Sequence, residues 1–206
     1  LMTGGAGYIG SHTLVALLSD NHEICVVDDF SNSDRRSIQR VKSLTGKSFR
    51  VCETNLCDLE SLLSICDDFK PSAVIHFAGL KAVGESTLIP IKYYRNNLLG
   101  SLNLLEAMSH CGCKNIIFSS SANVYIQQGK AVDEQQPIGP KNPYGRSKYF
   151  IEEMIRDWVF ADKSKSAILL RYFNPVGAHK SGEIGECPNK PPTNLFPIIG
   201  QVSVGA

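Results

Sequence analysis

Short apolar runs alternate with amphipathic stretches along the whole chain. The runs fall at Leu1 to Thr3, Glu23 to Asp28, Ser48 to Glu53, Ala73 to Phe77, Asn115 to Ser119 and Ser166 to Arg171. Their continuous apolar character predicts strands buried on both faces, as in a parallel sheet covered by helices. Between them, a period near 3.6 predicts helices over Ile9 to Ser19, Arg35 to Leu44, Leu59 to Phe69, Tyr93 to Ser109 and Tyr144 to Ala161, with loops marked by Gly, Pro and Asn. Regular strand-helix alternation predicts a doubly wound α/β fold. There is no internal repeat and no low-complexity segment.

The pattern changes after Arg171. Asn174-Pro175-Val176-Gly177 opens a stretch with Pro188, Pro191, Pro192 and Pro197 that reads as loop, followed by an apolar segment from Phe196 to Val204. This predicts a main domain over 1–172 and the beginning of a smaller lobe over 173–206, which we expect to be truncated. Only three residues precede Gly4, so the first strand is expected to be short as well.

Composition adds exclusions. The 21 basic and 20 acidic residues leave a formal charge of +1, which gives no electrostatic footprint for nucleic acid or an anionic membrane surface. No apolar run reaches the roughly eighteen residues of a membrane helix. Seven scattered cysteines suit reduced thiols in the cytoplasm. The one close pair, Cys111 and Cys113, has the wrong spacing for a zinc knuckle, and no metal is expected.

Chemistry enters with Thr3-Gly4-Gly5-Ala6-Gly7-Tyr8-Ile9-Gly10, directly after a strand and at the opening of a helix. Gly4 permits the tight turn, Gly7 lets a pyrophosphate approach the backbone, and Gly10 lets the helix pack closely on the sheet. A glycine-rich turn can also be only a turn. Asp28 ends the next strand, where a carboxylate accepts bonds from ribose hydroxyls and repels a 2'-phosphate, so a Rossmann-type domain binding NAD is favoured over one binding NADP. Arg35 and Arg36 are the groups that could serve a phosphate instead, or simply face solvent.

Tyr144-Gly145-Arg146-Ser147-Lys148 puts a tyrosine and a lysine four apart, on one face at the start of a helix. A nearby ammonium would bring the phenol toward a pKa useful for a base near neutral pH. Ser119-Ser120-Ser121 ends the fifth strand, at the sheet edge where open α/β folds place ligands. There Ser121 can share a substrate hydroxyl with Tyr144. Glycine turn, strand-end serine, tyrosine and lysine in this order resemble the short-chain dehydrogenase/reductase family.

Longer blocks narrow the resemblance. Ile75-His76-Phe77-Ala78-Gly79-Leu80-Lys81-Ala82-Val83-Gly84-Glu85-Ser86, then Tyr93-Tyr94-Arg95-Asn96-Asn97, then Leu169 to Ala178 are similar to the UDP-hexose 4-epimerase branch of the extended short-chain dehydrogenases/reductases. That resemblance implies NAD as cofactor, a UDP-sugar as substrate, C4 inversion through a transient keto sugar, and a homodimer formed through the helices at Tyr93 to Ser109 and Tyr144 to Ala161. Tyr144 would be the base, Ser121 would assist it, and Lys148 would hold the nicotinamide ribose. Cofactor contacts would come from Gly4, Gly7, Tyr8, Ile9, Gly10, Asp28, Asn32, Ser33, Asn55, Leu56, Phe77, Ala78, Gly79, Lys81, Asn96, Ser119, Tyr172 and Phe173, besides Tyr144 and Lys148. The UDP-sugar would be met by Lys81, Ser121, Tyr144, Asn174, Asn194 and Leu195.

Some positions depart from that pattern. Asn55 stands where an acidic residue usually meets the adenine, Asn123 replaces a threonine, and Ile126 replaces a glycine, an awkward exchange if the site needs positive φ. The loop from Ser121 to Tyr144 reads as about two residues short. A nucleotide-sugar 4,6-dehydratase would need an Asp-Glu pair near the serine, where Ala122-Asn123 stand here. A non-catalytic NAD-binding fragment stays open as an alternative.

Overall fold

The computed structural model describes residues 1–126, 129, 131–187, 194–203 and 205. Among them are six strands: β1 (Met2–Thr3), β2 (Cys25–Asp28), β3 (Arg50–Glu53), β4 (Val74–His76), β5 (Asn115–Ser121) and β6 (Ser166–Tyr172). Their order is β3-β2-β1-β4-β5-β6, the doubly wound order of a Rossmann-type fold. The described pairings are parallel, so each connection crosses over through helix. Two compact units can be distinguished, one holding residues 2–53 and 174 onward, the other Leu1 and residues 54–173.

The first unit contains β1 to β3 with α1 (Tyr8–Ser19), α2 (Arg35–Thr45) and α8 (Leu195–Ser203). Met2 pairs with Val26 and Thr3 with Val27, and all residues of β1 and β2 are buried. β3 differs from expectation: Arg50 and Glu53 are exposed, because among the described residues the strand has a neighbour on one side only. α2 starts where the Asp34 carboxylate accepts from Arg36 N–H at 2.8 Å and stops at Gly46, whose φ of 64° no side chain has to share. The stretch read as loop contains α8 instead, since Pro197 falls in the first turn, where its missing N–H needs no partner. Pro188, Pro191 and Pro192 lie outside the described residues.

The second unit contains β4 to β6, with α3 (Leu59–Phe69), α4 (Val83–Leu88), α5 (Pro90–Tyr94), α6 (Gly100–His110) and α7 (Pro143–Phe160). Leu1 is fastened here by its amino group to Ala73 O at 2.9 Å and by Ile75 N–H to its own carbonyl at 2.9 Å. Leu62, Tyr93, Leu104, Met108, Phe118, Ile151 and Ile155 fill the core. β6 alternates rather than being buried throughout, with Ile168 and Leu170 on the exposed face.

The single helix predicted over Tyr93 to Ser109 is interrupted. A π-helical turn over Arg95–Leu99 separates α5 from α6. The wide turn aims the buried Asn97 side chain across to Leu80 and Ser147, a use of π-helix often met at functional sites. α7 runs as predicted within a residue at each end. Asn142 Oδ1 accepts from Gly145 N–H at 2.7 Å, Pro143 opens the first turn, and Tyr144, Lys148, Ile151, Glu152 and Ile155 form the buried stripe.

Candidate active site

The glycine turn has the geometry of an anion cradle. Gly4 has φ of 68°, and its N–H is bonded to Val27 O at 2.8 Å. A Cβ on Gly10 would lie 2.4 Å from Gly4 O and 2.7 Å from Gly5 Cα, so only glycine lets α1 sit against the turn. α1 has no side-chain cap at Gly7 and no acidic residue in its first turn, which leaves the positive end of its dipole to a ligand.

Asp28 is buried beside that turn. Its Oδ2 accepts from Ala6 N–H at 2.9 Å, and its Oδ1 from Phe30 N–H at 3.0 Å and Ser33 Oγ at 2.8 Å. Burial pushes the carboxyl pKa up, and the hydrogen bonds from Ser33, Phe30 and Ala6 only partly oppose it. Three donors leave the carboxylate capacity for another. Arg35 is paired with Glu53 and Arg36 with Asp34, and both stay largely exposed. Asn32 is exposed and Ile9 half-buried. Tyr8 donates to Gly177 O at 2.7 Å; its phenol is raised by burial and by Glu186. Asn194 Nδ2 donates to Glu186 at 2.6 Å, while Asn174 and Leu195 are exposed.

In the other unit, three consecutive serines of β5 engage three residues spaced by one turn on α7. Lys148 Nζ donates to Ser119 O at 2.8 Å, Ser120 Oγ donates to the Glu152 carboxylate, and Ser121 acts on the Tyr144 hydroxyl. Tyr144, Lys148 and Glu152 are all buried. Burial drives Lys148 down to about 8, with Nζ 4.8 Å from the centroid of the Phe118 ring and 6.0 Å from that of Tyr144. Tyr144 departs from the expected direction: burial raises its pKa, opposed only by hydrogen bonding with Ser121. The ammonium points to Ser119 O rather than at the phenolic oxygen, so it does not produce the predicted lowering.

Asn97 ties a neighbouring loop to this cluster. It accepts from Leu80 N–H at 2.8 Å and donates to Leu80 O at 3.0 Å and to Ser147 Oγ at 3.1 Å. Ser147 in turn donates to Tyr144 O at 2.7 Å. Gly79 has φ of 151°, and a Cβ there would meet Asn97 Oδ1 at 3.3 Å and Lys148 Nζ at 3.7 Å. Phe77 and Ala78 lead into that loop at the end of β4, half-buried, and Lys81 follows it, exposed. Asn55 and Asn96 line one concavity of roughly 480 Å³ with Cys57, Ile91, Lys92 and Arg95. Leu56 packs where a Gly100 Cβ would be, 3.0 Å away. Tyr172 is half-buried and Phe173 exposed beyond β6.

The sequence motifs point to Asn96; the structure adds Asn97, whose buried bonds hold the Leu80 loop, and the Glu152 and Arg171 pair. An acidic residue eight after the tyrosine, on the buried stripe of α7, was the available signal.

Residues 1–199 match the family described as NAD dependent epimerase/dehydratase. The chain belongs to that family. It is 53% identical over 206 residues to the UDP-glucose 4-epimerase of Bacillus subtilis strain 168, covering 100% of this chain and 61% of that protein. To the UDP-glucose 4-epimerase of Homo sapiens it is 52% identical over 213 residues, again covering 100% and 61%. The crystal structure of UDP-glucose 4-epimerase from Bifidobacterium longum in complex with NAD+ and UDP superposes with a TM-score of 0.95 at 45% identity, over 99% of this chain and 62% of that one. The chain thus spans about three fifths of the length of these relatives.

As a member of the NAD dependent epimerase/dehydratase family, the chain accommodates its unusual residues locally. Ile126 does not adopt positive φ. It packs against Gly139, where a Cβ would lie 2.5 Å from Ile126 Cγ1, and its N–H bonds Pro137 O at 3.0 Å. Asn55 Oδ1 accepts from Cys57 N–H at 2.8 Å and closes its own turn.

Proposed function

We propose that the chain is the NAD-binding and catalytic part of an enzyme that inverts the C4 hydroxyl of a UDP-hexose, interconverting UDP-glucose and UDP-galactose in galactose metabolism. The observation that carries this reading is the convergence of Ser121, Tyr144 and Lys148 in one buried cluster at the end of β5. The free helix end at Gly7, the close approach enforced at Gly10 and the buried Asp28 carboxylate fit the pyrophosphate and ribose of NAD. Asn32, Ser33, Asn55, Leu56, Lys81 and Asn96 belong to the cofactor side of this proposal; Asn174, Asn194 and Leu195 belong to the sugar-nucleotide side.

Bound NAD supplies a reversible acceptor for the C4 hydrogen and its electron pair. The chain's own part is proton handling: Tyr144 takes the proton of the C4 hydroxyl, Ser121 assists that transfer through Tyr144, and the same proton returns when the keto sugar has turned its other face. Lys148, with a pKa near 8, remains mostly charged at neutral pH and keeps a cation beside the site. The buried cluster keeps water away from the carbonyl, as a keto intermediate requires.

Residues from Phe173 onward form the beginning of a substrate lobe in this reading. The homodimer is supported by apolar side chains left on the two helices concerned, Leu102 at 52% and Phe150 at 45% exposure. Cytoplasmic residence is supported by the cysteines, which form no disulfide among the described residues. Among the described residues no helix is long and apolar enough to cross a membrane.

The test is incubation of the purified chain with UDP-galactose, reading UDP-glucose formed and NAD bound. Conversion that is lost in Tyr144→Phe with NAD retained supports the reading; NAD bound without any conversion contradicts it.

A further inference from the structure

Ser121 can help Tyr144 only if its hydroxyl proton points at the tyrosine. A serine hydroxyl has one proton to give and two lone pairs to accept with. Both lone pairs face donors from one residue: Asn123 N–H lies 3.2 Å from Ser121 Oγ, and Asn123 Nδ2 lies 3.2 Å from the same atom. The proton is then left for the remaining direction.

The orientation of the Asn123 amide is fixed from outside. Gly145 N–H can only donate, and at 2.7 Å it occupies Asn142 Oδ1. Asn142 therefore presents its Nδ2, which reaches Asn123 Oδ1 at 3.4 Å, and this turns Asn123 Nδ2 to Ser121. Backbone packing holds the arrangement: a Cβ on Gly145 would lie 2.6 Å from Asn123 O, so the first turn of α7 closes directly on the residue. Ser121 and Tyr144 are 4% and 9% exposed, so bulk water does not compete for the serine proton.

We propose that Asn123 is a positioning residue of this site, occupying both acceptor positions of Ser121 Oγ so that the serine hydroxyl donates to Tyr144. The α7 N-cap at Asn142 is thereby linked through Asn123 and Ser121 to the tyrosine that the same helix carries. The proposal rests on the epimerase reading only for what Tyr144 does next.

Removing the Nδ2 donor frees a lone pair on Ser121, which can then accept from the neutral Tyr144 O–H and favour the phenol over the phenolate. A hydrogen bond of ordinary net worth corresponds to about one pKa unit, or about tenfold less phenolate at neutral pH. The experiment is an ultraviolet phenolate titration of the NAD-loaded chain. Tyr144 is isolated by difference against Tyr144→Phe, in the native chain, Asn123→Leu and Asn123→Ala, with melting curves and bound NAD as controls.

The expected result is an upward shift of about one unit in whichever Asn123 variant is folded. The shift should be absent when Ser121 is also alanine, and kcat for UDP-galactose should fall by up to about tenfold with KM unchanged. An unshifted Tyr144 in a folded variant, or the same shift with Ser121→Ala already present, overturns the role of Asn123. A shifted Tyr144 in a chain that never converts sugar overturns the function and leaves the positioning role standing; conversion with an unshifted Tyr144 does the reverse.

Discussion

Glu152 of α7 and Arg171 of β6 meet through two hydrogen bonds, Nε to Oε1 at 2.9 Å and Nη2 to Oε2 at 2.6 Å. Arg171 pairs in register with Ser120, so both reach the same carboxylate, which is completely buried. This pair fixes the helix carrying Tyr144 and Lys148 against the strands that carry the serines.

Glu152→Gln is expected to destabilise the chain by about 3 kcal/mol, because it leaves a guanidinium without its counter-charge in a mostly buried position. Urea unfolding at neutral pH measures this. Burial pushes the Glu152 carboxyl up, but the bonds from Arg171 and Ser120 and the charges of Arg171 and Arg156 outweigh it and leave the pKa lowered. A lowered carboxylate pKa means stability that is present above pH 4.5 and lost as pH falls below it. The difference between native chain and variant should therefore shrink in acid.

Lys148 works against stability. Its pKa falls from 10.5 to about 8, so the unfolded chain binds the proton more tightly between those values. The fold bears this penalty at neutral pH and sheds it as pH rises from about 8 toward 10.5. Lys148→Met should raise neutral-pH stability by about 2 kcal/mol, allowing for the lost bond to Ser119, while abolishing turnover. Melting temperatures from pH 7 upward should converge; a variant less stable at pH 7 would contradict the account.

Asp28→Ser is expected to weaken NAD binding by about tenfold and to narrow the preference over NADP by at least as much, since the carboxylate that accepts from ribose and repels a 2'-phosphate is gone. Competition binding of the two nucleotides reads this directly.

Gly10→Ala places a methyl group 2.4 Å from Gly4 O, a backbone atom that cannot swing away. Loss of about 3 kcal/mol or failure to retain NAD is the expected outcome, read by melting and by cofactor content.

The alternation of β1 to β6 with α1, α2, α3 and α7 was legible because each element has one dominant period. The glycine turn, Asp28, Ser121, Tyr144 and Lys148 were legible because their chemistry follows from type and spacing. The π-helical turn at Arg95–Leu99 was not, since the apolar positions on either side keep helical spacing and only the buried bonds of Asn97 call for the extra width. α8 was hidden by Pro197, which is harmless in a first turn. The pKa direction at Tyr144 escaped because sequence gives the lysine four residues away but not where its ammonium points.

The most direct measurement follows the hydrogen at C4. The purified chain is given UDP-galactose deuterated at C4, and the product is read by mass spectrometry and nuclear magnetic resonance. The account predicts UDP-glucose that keeps the label at C4 without uptake from solvent, and no product from Tyr144→Phe. Product that has lost the label to water, or a chain that retains NAD and leaves the sugar unchanged, would contradict it.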